Sequence, residues 1–189
     1  MLDGGLEEAL LQLQPLGGFL LPRVLVASTA LEGWSAVFDG DARGQGVRGL
    51  SVRLARALRV PGYFVAAAPP TSDPEHFPGF RQFYVLGPQT GRDHVRAVWV
   101  GEEEDVGRWH FGTDGEVQPY EDVEAYRRRR HTDRLTERML VDYAAAVGLR
   151  PWEDSFYRPP FHLITSLRLG RDRFQRTLAQ VRTEMKLDE

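Results

Sequence analysis

The chain predicts an α+β fold, a mainly antiparallel sheet laid out as a meander with amphipathic helices packed on it. Two observations predict it. From Arg81 to Gln118 four short strand-like runs follow one another with brief, turn-rich connections, which suits antiparallel neighbours and leaves no crossover helix for parallel ones. Around that block, three stretches repeat apolar residues at intervals of three and four, the period of a helix with one buried face. At 189 residues, 42% hydrophobic and 27% charged, the chain is long enough for one well-buried core, and a single globular domain over 1–189 is expected.

Taken in order, Leu6 to Leu13 reads as a short helix with Asp3 as N-cap and Pro15 as its stop. After Gly17-Gly18, the β-branched run near Val24 to Ala27 predicts a strand. Trp34 to Phe38 predicts a second, closed by Asp39-Gly40-Asp41. Val47, Leu50, Leu54, Ala57 and Leu58 form the apolar stripe of a helix that ends before Pro61-Gly62. Tyr63 to Ala68 is a strand stopped by Pro69-Pro70, and Thr71 to Gly79 is a loop. Arg81 to Leu86 and His94 to Val100 are strands. On the second, Val95, Ala97 and Trp99 share one face, and Arg96, Val98 and Val100 the other.

Glu102 to Asp105 reads as a solvated acidic loop. Arg108 to Phe111 and Glu116 to Gln118 are expected to pair as a hairpin through Gly112-Thr113-Asp114-Gly115. From Glu121 the period turns helical. One helix is expected over Glu121 to Arg130. A second, capped by Thr132-Asp133, carries Met139, Leu140, Tyr143, Ala144 and Val147 on its stripe and Gly148 at its C′ position. Arg150 to Pro160 is a packed aromatic loop, Phe161 to Leu167 a last strand, and Phe174, Leu178, Val181 and Met185 mark the final helix. Leu54, Leu58, Val98, Trp99, Met139, Leu140, Leu178 and Val181 are expected to share one core.

Composition excludes several chemistries. With no cysteine there is no disulfide, thiolate metal site or cysteine nucleophile. Lys186 is the only lysine among 24 basic residues, which removes lysine catalysis from almost the whole chain. A net charge of -3 and a pI near 6.0 speak against a nucleic-acid coat while leaving room for a local basic patch. The N-terminus has two glutamates and no basic residue before Arg23, unlike a secretory or mitochondrial leader, and no run approaches a membrane span. A cytoplasmic protein without a membrane partner is expected.

Four constellations bear on function. Gly44, Gly46 and Gly49 form a G-x-G-x-x-G run ahead of a helix, the pattern whose backbone N–H groups can cradle a pyrophosphate. The run follows its strand at a distance, and no acid ends the next strand where ribose would be held. Asp39 and Asp41 bracket a glycine and are both turn formers and a carboxylate pair able to share Mg²⁺. The five histidines show no metal-ligand spacing, and His94 with His110 reads as a cross-strand pair on a polar face. There is no nucleophile elbow and no P-loop. No cofactor or metal is expected.

Arg127 to Arg130, followed by His131, is the densest charge feature. On a helix these arginines would point about 100° apart and act individually. Six arginines face five acids between Glu121 and Arg138, so a salt-bridged solvated surface competes with a binding face. Trp109, with His110, flanks this segment, and aromatic plus arginine is the composition of protein-interface anchors.

The order of a strand with tryptophan, an amphipathic helix, antiparallel strands holding W-x-F-x-x-D-G, and then E-D-x-x-x-Y and helices resembles small bacterial proteins of the immunity and defence type. Such proteins bind a partner without catalysis. The expected function is a non-catalytic protein-binding role, as inhibitor, immunity-type protein or assembly subunit, with Trp109, His110, Arg127, Arg130 and His131 facing the partner. The alternative is an enzyme or binder of a phosphate-bearing ligand, a nucleotide or nucleic acid, held at Gly44, Gly46 and Gly49.

Overall fold

A computed structural model describes residues 4–17, 23–41, 46–71, 78–88, 93–103, 107–165 and 175–185. The fold is α+β, and the described residues form two antiparallel sheets and four α-helices. The chain forms two compact units, residues 1–47 with 150–189, and residues 48–149. Among the described residues no helix is long and apolar enough to cross a membrane.

The first unit holds α1 (Leu6–Leu11), β1 (Arg23–Thr29), β2 (Ser35–Asp39), β7 (Tyr157–Thr165) and α4 (Leu178–Glu184), with sheet order β2-β1-β7. Leu25 and Ala27 on the central strand are wholly buried, with Phe156, Phe161 and Val181 also in its interior. The α1 N-cap is Gly5, and Asp3 lies outside the described residues. β7 begins earlier than the sequence suggests and runs through Pro159-Pro160. Proline lacks the N–H of a regular ladder, and the β1–β7 register shifts beside these residues, between Ala27 and Ser28. Thr177 and Gln180 close a capping box on α4, where Val181 is buried and Leu178 half-buried.

The second unit contains most of α2 (Gly46–Leu58), followed by β3 (Gly62–Ala68), β4 (Phe80–Leu86), β5 (Arg96–Glu102), β6 (Trp109–Gly115) and α3 (Glu137–Ala146). Its sheet is an antiparallel meander, β3-β4-β5-β6. Phe83, Val98 and Val100 point from the sheet into a core closed by Ala125, Leu135, Met139, Leu140, Tyr143 and Ala144. Thr136, rather than Thr132-Asp133, caps α3, its hydroxyl accepting the Met139 N–H. Gly148 stands at C′ with φ +81°, and bonds from Gly148 and Leu149 N–H to the Ala145 and Ala144 carbonyls complete a Schellman ending.

Three further expectations change. The GTDG stretch is not a turn: β6 continues through it against β5, and no strand forms over 116–118. Gly112 is needed beneath the Trp99 indole, where an added Cβ would come within 2.2 Å of a ring atom. Glu121 to Arg130 is not a helix. It holds a 3₁₀ turn at Ala125–Arg127 and an extended Arg128, and a second turn follows at His131–Asp133. Its backbone donors bond mainly to carbonyls three residues back, and side chains add to them, with Tyr143 Oη accepting from Asp122 N–H and Asp122 Oδ1 from Ala125 N–H. Finally, α2 buries Ala55 and leaves Leu54 and Leu58 exposed, so neither joins the core of Val98, Met139 and Leu140.

Candidate functional site

Three of the expected partner-facing residues meet at one end of β6. The His131 ring donates from Nδ1 to the Trp109 carbonyl. A carbonyl only accepts, so Nδ1 carries a proton. The His110 ring lies 6.3 Å away, tilted by 35°, with Nε2 2.9 Å from Glu103 Oε2. The expected His94–His110 pair does not form. His94 instead contacts Asp114 at 2.9 Å, while His110 stands opposite Gly101, further along the sheet.

Trp109 is half-buried rather than presented. Its ring packs against the core, with the Arg81 guanidinium 5.3 Å above it and Gly79 so close that a Cβ there would approach it to 2.9 Å. Burial lowers the Arg81 pKa, and the nearby Glu137 and Asp133 carboxylates act in the opposite sense.

The arginine run is displayed on irregular backbone. Arg127 is 79% exposed and lies 3.0 Å from Glu124 Oε2. Arg128 Nη1 donates to the Asp133 carbonyl at 2.9 Å, while Arg134 Nε donates to the Arg128 carbonyl at 2.7 Å. The Arg134 guanidinium also covers the Phe111 ring at 5.6 Å. Arg129 and Arg130 are exposed. Crossed hydrogen bonds therefore fix the loop backbone and leave Arg127, Arg129 and Arg130 facing outward.

That rigidity has a buried source. Arg96 and Glu121 form a fully buried ion pair beneath the segment. Tyr126 donates to Glu121 Oε2, and the Tyr126 and Tyr143 hydroxyls are 3.0 Å apart. Burial, together with the bonds to Tyr143 and Glu121, drives the Tyr126 pKa far upward, so it remains a neutral donor. Sequence reading singled out neither Arg96 nor Glu121. The signal was present: Arg96 shares a strand face with Val98 and Val100, and an arginine on a buried face requires an acid.

Of the alternative site, Gly44 lies outside the described residues. Gly46 opens α2 and its N–H donates to Asp41 Oδ2 at 2.6 Å, so a carboxylate occupies the place a phosphate would take. Gly49 lies in the first turns of α2 with open space around it. The strands before and after α2 belong to different sheets, so no βαβ unit frames the glycines. Asp39 accepts the Asp41 N–H at 3.1 Å through Oδ1, while its Oδ2 is buried with no hydrogen-bond partner among the described residues. Burial raises its pKa to about 6, opposed by the Asp41 N–H and reinforced by the Asp41 charge. Among the described residues no group of three or more His, Asp or Glu is placed to hold a metal ion.

Comparison of the chain with protein-family models, curated proteins and solved structures found no match.

Proposed function

We propose that the protein is a non-catalytic, cytoplasmic protein-binding module, and that the surface from His110 through Arg127, Arg130 and His131 meets its partner. The observation that carries this is the fixed backbone of residues 121–134 combined with its outward arginines. A loop ordered before binding loses little entropy on association. Arginine is favoured in such interfaces because one planar group supplies several hydrogen bonds and a flat apolar face. Trp109 supports the surface from below instead of anchoring the partner. Inhibitors, immunity-type proteins and assembly subunits all work in this way, without a reacting group.

A phosphate-bearing ligand at Gly46 and Gly49 is disfavoured by the Asp41 carboxylate at the helix start. Nucleic acid is disfavoured by the acids interleaved with the arginines, since affinity for it grows with the number of phosphates neutralised together. Affinity capture with the native chain and the Arg127→Ala/Arg130→Ala variant tests the proposal. A protein retained by the first and lost from the second supports it. Equal retention by both, or steeply salt-dependent oligonucleotide binding lost in the variant, would sink it.

A further inference from the structure

All but two of the arginines in residues 121–134 have a partner within the chain. Arg127 lies against Glu124, and Arg128 reaches the Asp122 carboxylate at 3.8 Å as well as the Asp133 carbonyl. Arg134 is held by the Arg128 carbonyl and the Phe111 ring. Glu121 is neutralised by the buried Arg96. Arg129 and Arg130 differ from these. Both are exposed, and neither guanidinium has a hydrogen bond, ion pair or ring contact among the described residues. The backbone carrying them is pinned on both sides, because Arg128 N–H donates to the Ala125 carbonyl and the Arg130 carbonyl accepts the Asp133 N–H.

We infer that Arg129 and Arg130 are the carboxylate receptors of the partner face, and that the partner presents an acidic polypeptide segment whose Asp or Glu side chains bind them. This rests on the protein-binding reading above and names the partner's chemistry. A guanidinium offers five N–H donors in a planar fork, which matches a carboxylate through two parallel bonds. The chain uses that fit itself, between Arg96 and Glu121. At Arg129 and Arg130 the forks are open to solvent on a pinned backbone, in a chain whose net charge is -3.

The neighbouring acids select the form of the ligand. Asp122, Glu124 and Asp133 are exposed in the same segment. A nucleic-acid strand carries an unbroken row of phosphates, and its affinity depends on neutralising several of them together, which these carboxylates oppose. A polypeptide can set carboxylates on the two arginines and neutral groups beside the acids.

Nitrogen-edited NMR of the arginine Nε–H groups reads each fork separately during a titration. The probes are an end-blocked tetraglutamate peptide, its tetraglutamine counterpart and a thymidine oligonucleotide of equal charge. Tetraglutamate should shift the Arg129 and Arg130 signals saturably and leave that of Arg96 unmoved. Arg129→Ala/Arg130→Ala should weaken this binding by about tenfold, whereas Glu124→Ala/Arg127→Ala, which removes a pair already satisfied, should change it less than about twofold. Tetraglutamine should cause no shift, and the oligonucleotide should bind more weakly than tetraglutamate. Unmoved Arg129 and Arg130 signals, an equal response to the oligonucleotide, or affinity indifferent to Arg129→Ala/Arg130→Ala each overturn the inference. Failure of the broader reading is separate. A protein captured equally by the native chain and by Arg129→Ala/Arg130→Ala would leave protein binding standing and remove the carboxylate assignment. Capture of no protein would sink protein binding, with the peptide titration still deciding for or against the two arginines.

Discussion

Arg96 and Glu121 bind each other through two parallel hydrogen bonds, 2.8 Å from Nε to Oε1 and 2.6 Å from Nη2 to Oε2, with 3% and 1% of their side chains exposed. The remaining polar atoms are also engaged. Arg96 Nη1 reaches the Gly115 carbonyl at 3.0 Å, and Glu121 accepts from the Gln118 N–H and the Tyr126 hydroxyl. A buried charge pair offsets its desolvation only when it is satisfied in this way. It joins β5, the end of β6 and the start of the irregular segment, and so sets where the arginine loop lies.

Removing one member should therefore be severe. Glu121→Ala is expected to cost about 3–5 kcal/mol, because it strands a buried guanidinium. Replacing both residues with apolar ones of similar volume should cost less than the single change. Urea unfolding of the two variants checks this. A Glu121→Ala protein of native stability would show that the pair is not buried as described.

Asp39 makes stability depend on pH. Its pKa is raised from the ordinary 3.8 to about 6 in the folded chain, so the folded state holds the proton more tightly than the unfolded state. The sign follows: stability from this group is greatest below about pH 4 and is lost as pH rises through about 6. Asp39→Asn keeps an acceptor for the Asp41 N–H but cannot ionise. It should stabilise the protein at neutral pH by up to about 3 kcal/mol, with the gain vanishing towards pH 4. Thermal melts across that window measure it, and a gain independent of pH would refute the assignment.

Two glycines should respond in opposite senses to alanine. At Gly115, φ is +86° and a Cβ would sit 2.0 Å from the Val95 carbonyl oxygen. Gly115→Ala should cost at least about 2 kcal/mol. Gly49→Ala, in a helix with open space around the position, should stabilise by about 0.5–1 kcal/mol. Denaturant midpoints of the two variants compare them directly.

Core truncations should separate the apolar residues that the sequence cannot distinguish. Leu140 is wholly buried and Leu58 is 64% exposed. Leu140→Ala should lose about 2–5 kcal/mol. Leu58→Ala should lose less than about 1 kcal/mol.

Arg127→Ala/Arg130→Ala should leave the fold within about 1 kcal/mol of native stability, since exposed ion pairs contribute little. Circular dichroism and melting should be unchanged in the variant used for partner capture, so lost binding could not be ascribed to unfolding.

Features set by neighbours along the chain were legible in the sequence. The stripe from Met139 to Val147, the Gly148 ending, the strands β3, β4 and β5, and their antiparallel order all follow from spacing, chain stiffness and short connections. Tertiary packing decided the rest, because a side chain's fate depends on what lies across from it. Leu54 and Leu58 have helical spacing, but Ala55 is the residue that α2 turns inward, near Gly62 and Leu86. Gly112-Thr113-Asp114-Gly115 has turn composition, yet its backbone pairs with β5, and the glycine at 112 leaves room for the Trp99 indole. The arginines from 127 to 130 sit in a stretch of helical composition. Their irregular backbone comes from bonds to distant partners: Tyr143 holds Asp122, Glu121 holds Arg96, and the Trp109 carbonyl holds His131. No local propensity encodes those bonds, since each partner lies more than twenty positions away along the chain and is brought near only by folding.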